Sequence, residues 1–177
     1  IYSTIQAAVN AAPTSTSIPA RQTIIEVKAG LYDESVYVSS DRRIALLAEA
    51  TAAETVLSTT SNSYALRMDA QGCVIDGLVL TRKGALAPQP TLYLHLPDKC
   101  TTSRISNCIL RDGSGVNGGA IFFSRGHLIG DHLTFVRNEA TSHLRHREHD
   151  PRTHEFHHLG ERWHRTHRPH RIRRGRL

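Results

Sequence analysis

From Thr23 to Phe135 the apolar residues come in short runs parted by Gly, Asp, Asn, Ser or Pro, a pattern of brief strands and tight turns. The runs are Thr23–Val27, Ser35–Val38, Ile44–Ala48, Thr55–Leu57, Ala65–Met68, Val74–Leu80, Leu92–Leu96, Arg104–Leu110, Ala120–Phe123 and Leu128–Phe135. One stretch alone has a helical period. Ile5, Ala8, Val9 and Ala12 fall on one stripe and predict a short helix, opened by a capping box of Ser3 and Gln6. Pro13 and the Ser/Thr-rich stretch to Pro19 end it. No second helical period follows, which disfavours alternating β/α units.

Three of the runs align on one another. Ile75-Asp76-Gly77-Leu78-Val79-Leu80 and Ile105-Ser106-Asn107-Cys108-Ile109-Leu110 share apolar first, fourth and sixth places, with Gly77 or Asn107 as a corner. Ile129–Phe135 repeats the scheme with one extra residue and Asp131 at the corner. The repeats start 30 and 24 residues apart (75 to 105, 105 to 129), and the Gly84–Pro90 loop accounts for the longer interval. A repeat of this length with short strands and no helix per unit predicts a solenoid of β-coils. The expected fold is all-β: a right-handed parallel β-helix over residues 1–141, capped at its N-terminal end by the short helix and incomplete at its C-terminal end. Because the chain starts at Ile1 rather than Met, it reads as a piece of a longer protein.

The opening residues Ile5-Gln6-Ala7-Ala8-Val9, Ile24–Gly30, Gly30-Leu31-Tyr32-Asp33-Glu34 and Val36-Tyr37-Val38 resemble the start of pectin-lyase-like β-helices. Within that superfamily the Gly-x-Tyr-x-Glu segment is most similar to pectin methylesterases. Gly118-Gly119-Ala120-Ile121 and Phe135-Val136-Arg137-Asn138 look like the GGAI and FxxN repeats of bacterial surface β-helix proteins. The resemblance covers about residues 1–140 and implies the fold more than an activity, because this fold carries esterases, lyases, hydrolases and non-catalytic adhesins.

Catalytic chemistry is sparse. A pectin methylesterase would need segments reading QDTL, DFIFG and LGRPW, and none occurs. The Gly30–Glu34 segment reads instead as part of the fold's entrance: Gly30 at positive φ in a turn, Tyr32 packed over the helix, and Glu34 capping a loop. Glycoside hydrolysis needs two carboxylates facing one bond, yet the aligned columns Asp76/Ser106/Gly130 and Gly77/Asn107/Asp131 each offer one. Arg82, Asp112 and Arg137 lie two places beyond the last inward position of successive repeats. At the roughly 4.8 Å spacing of neighbouring strands they form the best catalytic candidate. A β-helix lyase sets an Arg beside calcium-binding acids, so the resemblance would add Ca²⁺ if the chain were a lyase; no other cofactor is expected. The sequence favours the plainer reading of these residues as a surface charge ladder.

Composition changes the picture at one point. The net charge of +6 suggests a polyanion partner until it is divided along the chain. Residues 1–142 carry 12 basic and 12 acidic side chains, whereas residues 143–177 carry 10 Arg, 4 acids and nine of the 12 His. The body therefore gives no support for a nucleic-acid partner, and no apolar run approaches the ~20 residues of a spanning helix. Residues 142–177 form a second segment that reads as a disordered His/Arg-rich tail or as out-of-frame translation. It contains a metalloprotease-like match at His154, Glu155 and His158, with His164 beyond. So many histidines make such a match by chance; Glu161 replaces the motif's Gly and no Met follows, so no metal is expected there. Cys73, Cys100 and Cys108 are too few for a disulfide framework, and Cys108 falls at an inward position.

Together these readings predict an extracellular or cell-surface module that contacts polysaccharide or a surface partner without catalysis in this stretch. The alternative is the N-terminal part of a pectin-active esterase or lyase.

Overall fold

The computed structural model describes residues 1–14, 22–70, 72–83, 88–96 and 102–140. The chain winds into a parallel β-solenoid of about four turns, with one short helix. The first coil holds β1 (Thr23–Val27), β2 (Gly30–Asp33) and β3 (Val36–Val38); the second holds β4 (Ile44–Ala48), β5 (Thr55–Thr59) and β6 (Leu66–Met68). The third holds β7 (Val74–Asp76), β8 (Val79–Arg82) and β9 (Leu92–His95). Next come β10 (Thr102–Ser106), β11 (Ile109–Arg111), β12 (Ser114–Gly115) and β13 (Ile121–Ser124), then β14 (His127–Asp131), β15 (Thr134–Val136) and β16 (Glu139–Ala140). Strands from successive coils stack into sheet A (β1-β4-β7-β10-β14), sheet B (β2-β5-β8-β11-β15) and sheet C (β3-β6-β9-β13), with β12 and β16 as a separate pair.

The register is set from inside. Leu46, Ile75 and Ile105 line one interior column, Leu57, Leu80 and Leu110 a second, and Leu66 and Leu92 a third, all at most 1% exposed. Each such side chain contributes roughly 1.5–3 kcal/mol when fully buried. Cys73 and Cys108 are free thiols inside this core, and burial pushes both up to about 11. They pack as small apolar groups, as the inward position of Cys108 predicts. Cys100 lies outside the described residues.

The three long apolar runs are each two strands around a corner. The corner residues Gly77, Asn107 and His132 have φ of 73°, 53° and 49°, the left-handed region that turns the chain from sheet A into sheet B. Here the third repeat departs from the sequence alignment. Ile105 faces Gly130, not Ile129, and Ser106 faces Asp131, so the corner is His132 and not Asp131. The insertion that the alignment put inside the repeat lies before it.

The helix α1 (Ile5–Ala11) packs on the first coil, burying Ile5 and Val9. Its cap differs from the expected box. Thr4, not Ser3, is the N-cap, and its Oγ1 accepts from the Ala7 N–H at 3.1 Å. The remaining first-turn amides of Ile5 and Gln6 donate to the Glu34 carboxylate at 2.7 and 3.0 Å. A carboxylate at a helix N-terminus satisfies donors that have no partner within the helix. Glu34 thus caps the helix rather than a loop, and Gly30 has the expected positive φ, 159°, but opens strand β2 instead of forming a turn.

Gln6 is freed for another task. Its Oε1 accepts from the Tyr37 N–H at 2.6 Å and its Nε2 donates to the Tyr37 carbonyl at 3.1 Å. One side-chain amide thereby takes both backbone bonds that a neighbouring strand would make to β3. Replacing Gln6 or Glu34 by Ala should each lower the unfolding free energy by about 1–2 kcal/mol, read as a drop in urea midpoint at unchanged slope. An unaltered midpoint would show that the helix is held by its apolar face alone.

Candidate functional site

The charged column read from the sequence is real in register but not in orientation. Leu80, Leu110 and Phe135 face one another across β8, β11 and β15, so Arg82, Asp112 and Arg137 occupy one file at the sheet B margin. Arg137 donates through Nε to Asp112 Oδ1 at 2.7 Å, and its Nη2 stands 2.7 Å from the same oxygen. Thr81 donates to Asp112 Oδ2 at 3.1 Å, and Arg111 Nε lies 3.7 Å from that oxygen. Burial works to raise the Asp112 carboxyl, but these bonds and charges outweigh it and hold the group below its ordinary value. Arg82 turns inward, 2% exposed. Its Nε donates to the Ser63 carbonyl at 2.8 Å and its Nη1 to the Gln89 carbonyl at 2.5 Å. The file is an ion pair beside a buried arginine, not three groups aimed at one substrate.

The carboxylate columns also change with the corrected register. Asp76, Ser106 and Asp131 share one file, so two acids stand two rungs apart where the alignment placed one. Asp76 accepts from Asn107 Nδ2 at 2.8 Å, while Asp131, 57% exposed, sits 3.0 Å from His132 Nδ1. Ser106 stands between them, so they form no acid–base couple across a cleft. Among the described residues no group of three His, Cys, Asp or Glu is placed to hold a metal ion. His154, Glu155, His158 and His164, with all of 142–177, lie outside the described residues.

Both surface-repeat segments serve the backbone. Asn138 accepts from the Gly113 N–H at 3.0 Å and donates to the Leu110 carbonyl at 2.9 Å, stitching its coil to the one before. Gly119 belongs to a close backbone approach: a Cβ there would meet the Glu139 carbonyl oxygen at 2.5 Å. At Gly113 a Cβ would come within 2.1 Å of the Gly119 carbonyl oxygen, so neither position admits a side chain without a backbone shift.

The residues that gather in an accessible place lie on the outer face of sheet C. Tyr37, Arg67, Tyr93 and Phe122 face one another on β3, β6, β9 and β13. Each is the middle of an apolar–X–apolar triplet, so the flanking residues enter the core and X points out. Tyr93 and Phe122 stack at 4.8 Å between centroids and 13° between planes, and Tyr64 leans on Tyr93 at 4.7 Å. The Arg67 guanidinium lies 5.4 Å from the Tyr37 centroid and 5.0 Å from that of Tyr93, within cation–π range. Asp69 fixes it, accepting from Nη2 at 2.7 Å and Nε at 3.0 Å, and also accepts from the Tyr37 hydroxyl at 3.2 Å. Burial and the Asp69 charge push the Tyr37 phenol up from its ordinary value.

Beside this column lies a cleft of about 330 Å³. Tyr64, Tyr93 and Phe122 form one wall, and Pro88–Pro90 with Val116–Gly118 form the other. Tyr93 has Arg67 and Phe122 on its two sides, so its ring edge and hydroxyl, rather than its faces, are left for a ligand. Gln89 and Asn117 also line it, and no charged side chain lines the cleft among the described residues. The sequence signal for this face was present: Val36-Tyr37-Val38, Leu66-Arg67-Met68, Leu92-Tyr93-Leu94 and Ile121-Phe122-Phe123 share one pattern. Their spacing is uneven, which hides them from a search for a fixed repeat.

No family model, curated protein or solved structure matches the chain. The geometry of the site therefore carries the functional argument.

Asp112 supplies a test of the ion-pair reading. A carboxyl held below its unfolded value adds stability above that value and loses it as pH falls through the folded one. Stability should therefore fall from about pH 4 downward, and Asp112→Asn should flatten that limb of a urea-midpoint profile. Equal profiles for the two chains would mean that the pair adds nothing.

Proposed function

We propose that this chain is a non-catalytic β-helix module that contacts polysaccharide through the outer face of sheet C. The observation that carries the reading is the Tyr37–Arg67–Tyr93–Phe122 column beside a cleft faced by Gln89 and Asn117. A sugar ring presents apolar C–H patches edged by hydroxyls. Aromatic edges, phenol oxygens and amide groups match such a surface, giving contact area with a few hydrogen bonds that fix orientation. The column runs across four stacked strands, β3, β6, β9 and β13, which suits an extended chain better than a small molecule.

The reading implies an extracellular or cell-surface setting, where such polymers are met, and agrees with the resemblance of the opening residues to pectin-lyase-like proteins. The catalytic alternative is weaker. Arg137 and Asp112 neutralise each other and Arg82 is buried, so none of the three is presented as an acid, base or free cation.

Immobilised pectin and a neutral galactan test the proposal. Tyr93→Ala should weaken binding at least tenfold, about 1.4 kcal/mol, and Asn117→Ala several-fold with no change in melting, since Asn117 is exposed. Neither polymer should be de-esterified or cleaved above background. Failure of the unaltered chain to bind either polymer would sink the binding reading. Turnover of pectin that disappears in Asp112→Asn would restore the enzyme.

A further inference from the structure

We infer that Arg82 is the positioning residue of the cleft, a buried clamp that fixes the separation of its two walls. This rests on the reading of the cleft as the ligand face. The guanidinium joins carbonyls from two different coils, Ser63 before β6 and Gln89 before β9. Ser63 precedes Tyr64, which lies on the aromatic wall, and Gln89 belongs to the opposite wall. The Gln89 carbonyl also accepts from the Ser114 N–H at 3.2 Å, in an antiparallel bridge that leads directly to Val116–Gly118. The Arg82 side chain thus ties loops of two successive coils, and the Gln89 carbonyl extends the tie to β12 of the next.

The anchor itself is rigid. Arg82 ends β8, in register with Thr59 of β5, and follows Thr81, which is fully buried. A group held on a strand defines a site more tightly than one on a loop. The chemistry also demands this residue type. A planar guanidinium aims N–H groups in fixed, divergent directions and so spans two oxygens at a set distance; an ammonium is a single point on a flexible stem. An apolar side chain of similar volume would avoid the desolvation cost of the buried cation, but it would leave both carbonyls without this donor.

The decisive comparison is Arg82→Lys and Arg82→Met against the unaltered chain, by amide hydrogen exchange and by affinity for immobilised pectin and galactan. Exchange at the Ser114 N–H should quicken at least tenfold in both variants, and affinity should fall at least tenfold. The core amides of Leu80 and Leu110 should exchange as before, a split that a general loss of stability would not produce. Unchanged Ser114 exchange in both variants, or exchange that quickens at Leu80 and Leu110 to the same degree, would overturn the clamp. A second readout needs no variant: the Arg82 Nε–H should give a slowly exchanging resonance in the unaltered chain, and a solvent-exchange rate there overturns the clamp directly. If neither polymer binds the unaltered chain, the ligand reading falls, while Ser114 exchange still judges whether Arg82 holds the walls.

Discussion

Stacked aliphatic side chains in the bore of the solenoid decide which residue of one coil meets which residue of the next. Leu46, Ile75 and Ile105 under sheet A, or Leu57, Leu80 and Leu110 under sheet B, can interlock in one register only. A slip of one residue would send every interior side chain outward. The exterior follows from that constraint. Tyr37, Arg67, Tyr93 and Phe122 stand in line because Val36, Leu66, Leu92 and Ile121 stand in line beside them.

Polar groups in this architecture fall into two kinds, and their appearance in sequence does not separate them. Asn138, Glu34, Gln6 and Arg82 satisfy backbone groups that the winding of the chain leaves unpaired. Asp112 and Arg137, and likewise Asp69 and Arg67, compensate each other's charge. On the outer face of sheet C this leaves ring edges, hydroxyls and amides beside the compensated Arg67. On the proposed reading such a face holds a chain rather than reacting with it, since bond cleavage would call for a proton donor or acceptor placed against the bound chain.

The fold was legible because burial has a short code. Apolar residues at fixed places around Gly77 and Asn107 disclose the coil, and one helical stripe discloses the cap. The error at the third repeat has the same source: Ile129 is apolar and so reads as inward, whereas it is 44% exposed and Gly130 holds the register position of Ile105. Charge pairing was half legible. The file of Arg82, Asp112 and Arg137 follows from the repeat, but the inward turn of Arg82 depends on carbonyls of Ser63 and Gln89 that no side-chain pattern announces. The aromatic column was written in four triplets, yet the loops between them differ in length, and only the closed coil brings them together.

The amide of Gln6 on Tyr37 has a meaning beyond the anchoring of a helix. A β-strand at the margin of a sheet is a template, and any chain with free N–H and C=O groups can extend it. At Tyr37 both of those groups are already occupied by a side chain of the protein's own helix. A foreign strand would have to displace a neighbour that is covalently tethered and already in place. Gln6 works as a terminator: it gives sheet C a beginning, so that on this side the column of rings starts at Tyr37 instead of continuing into another molecule.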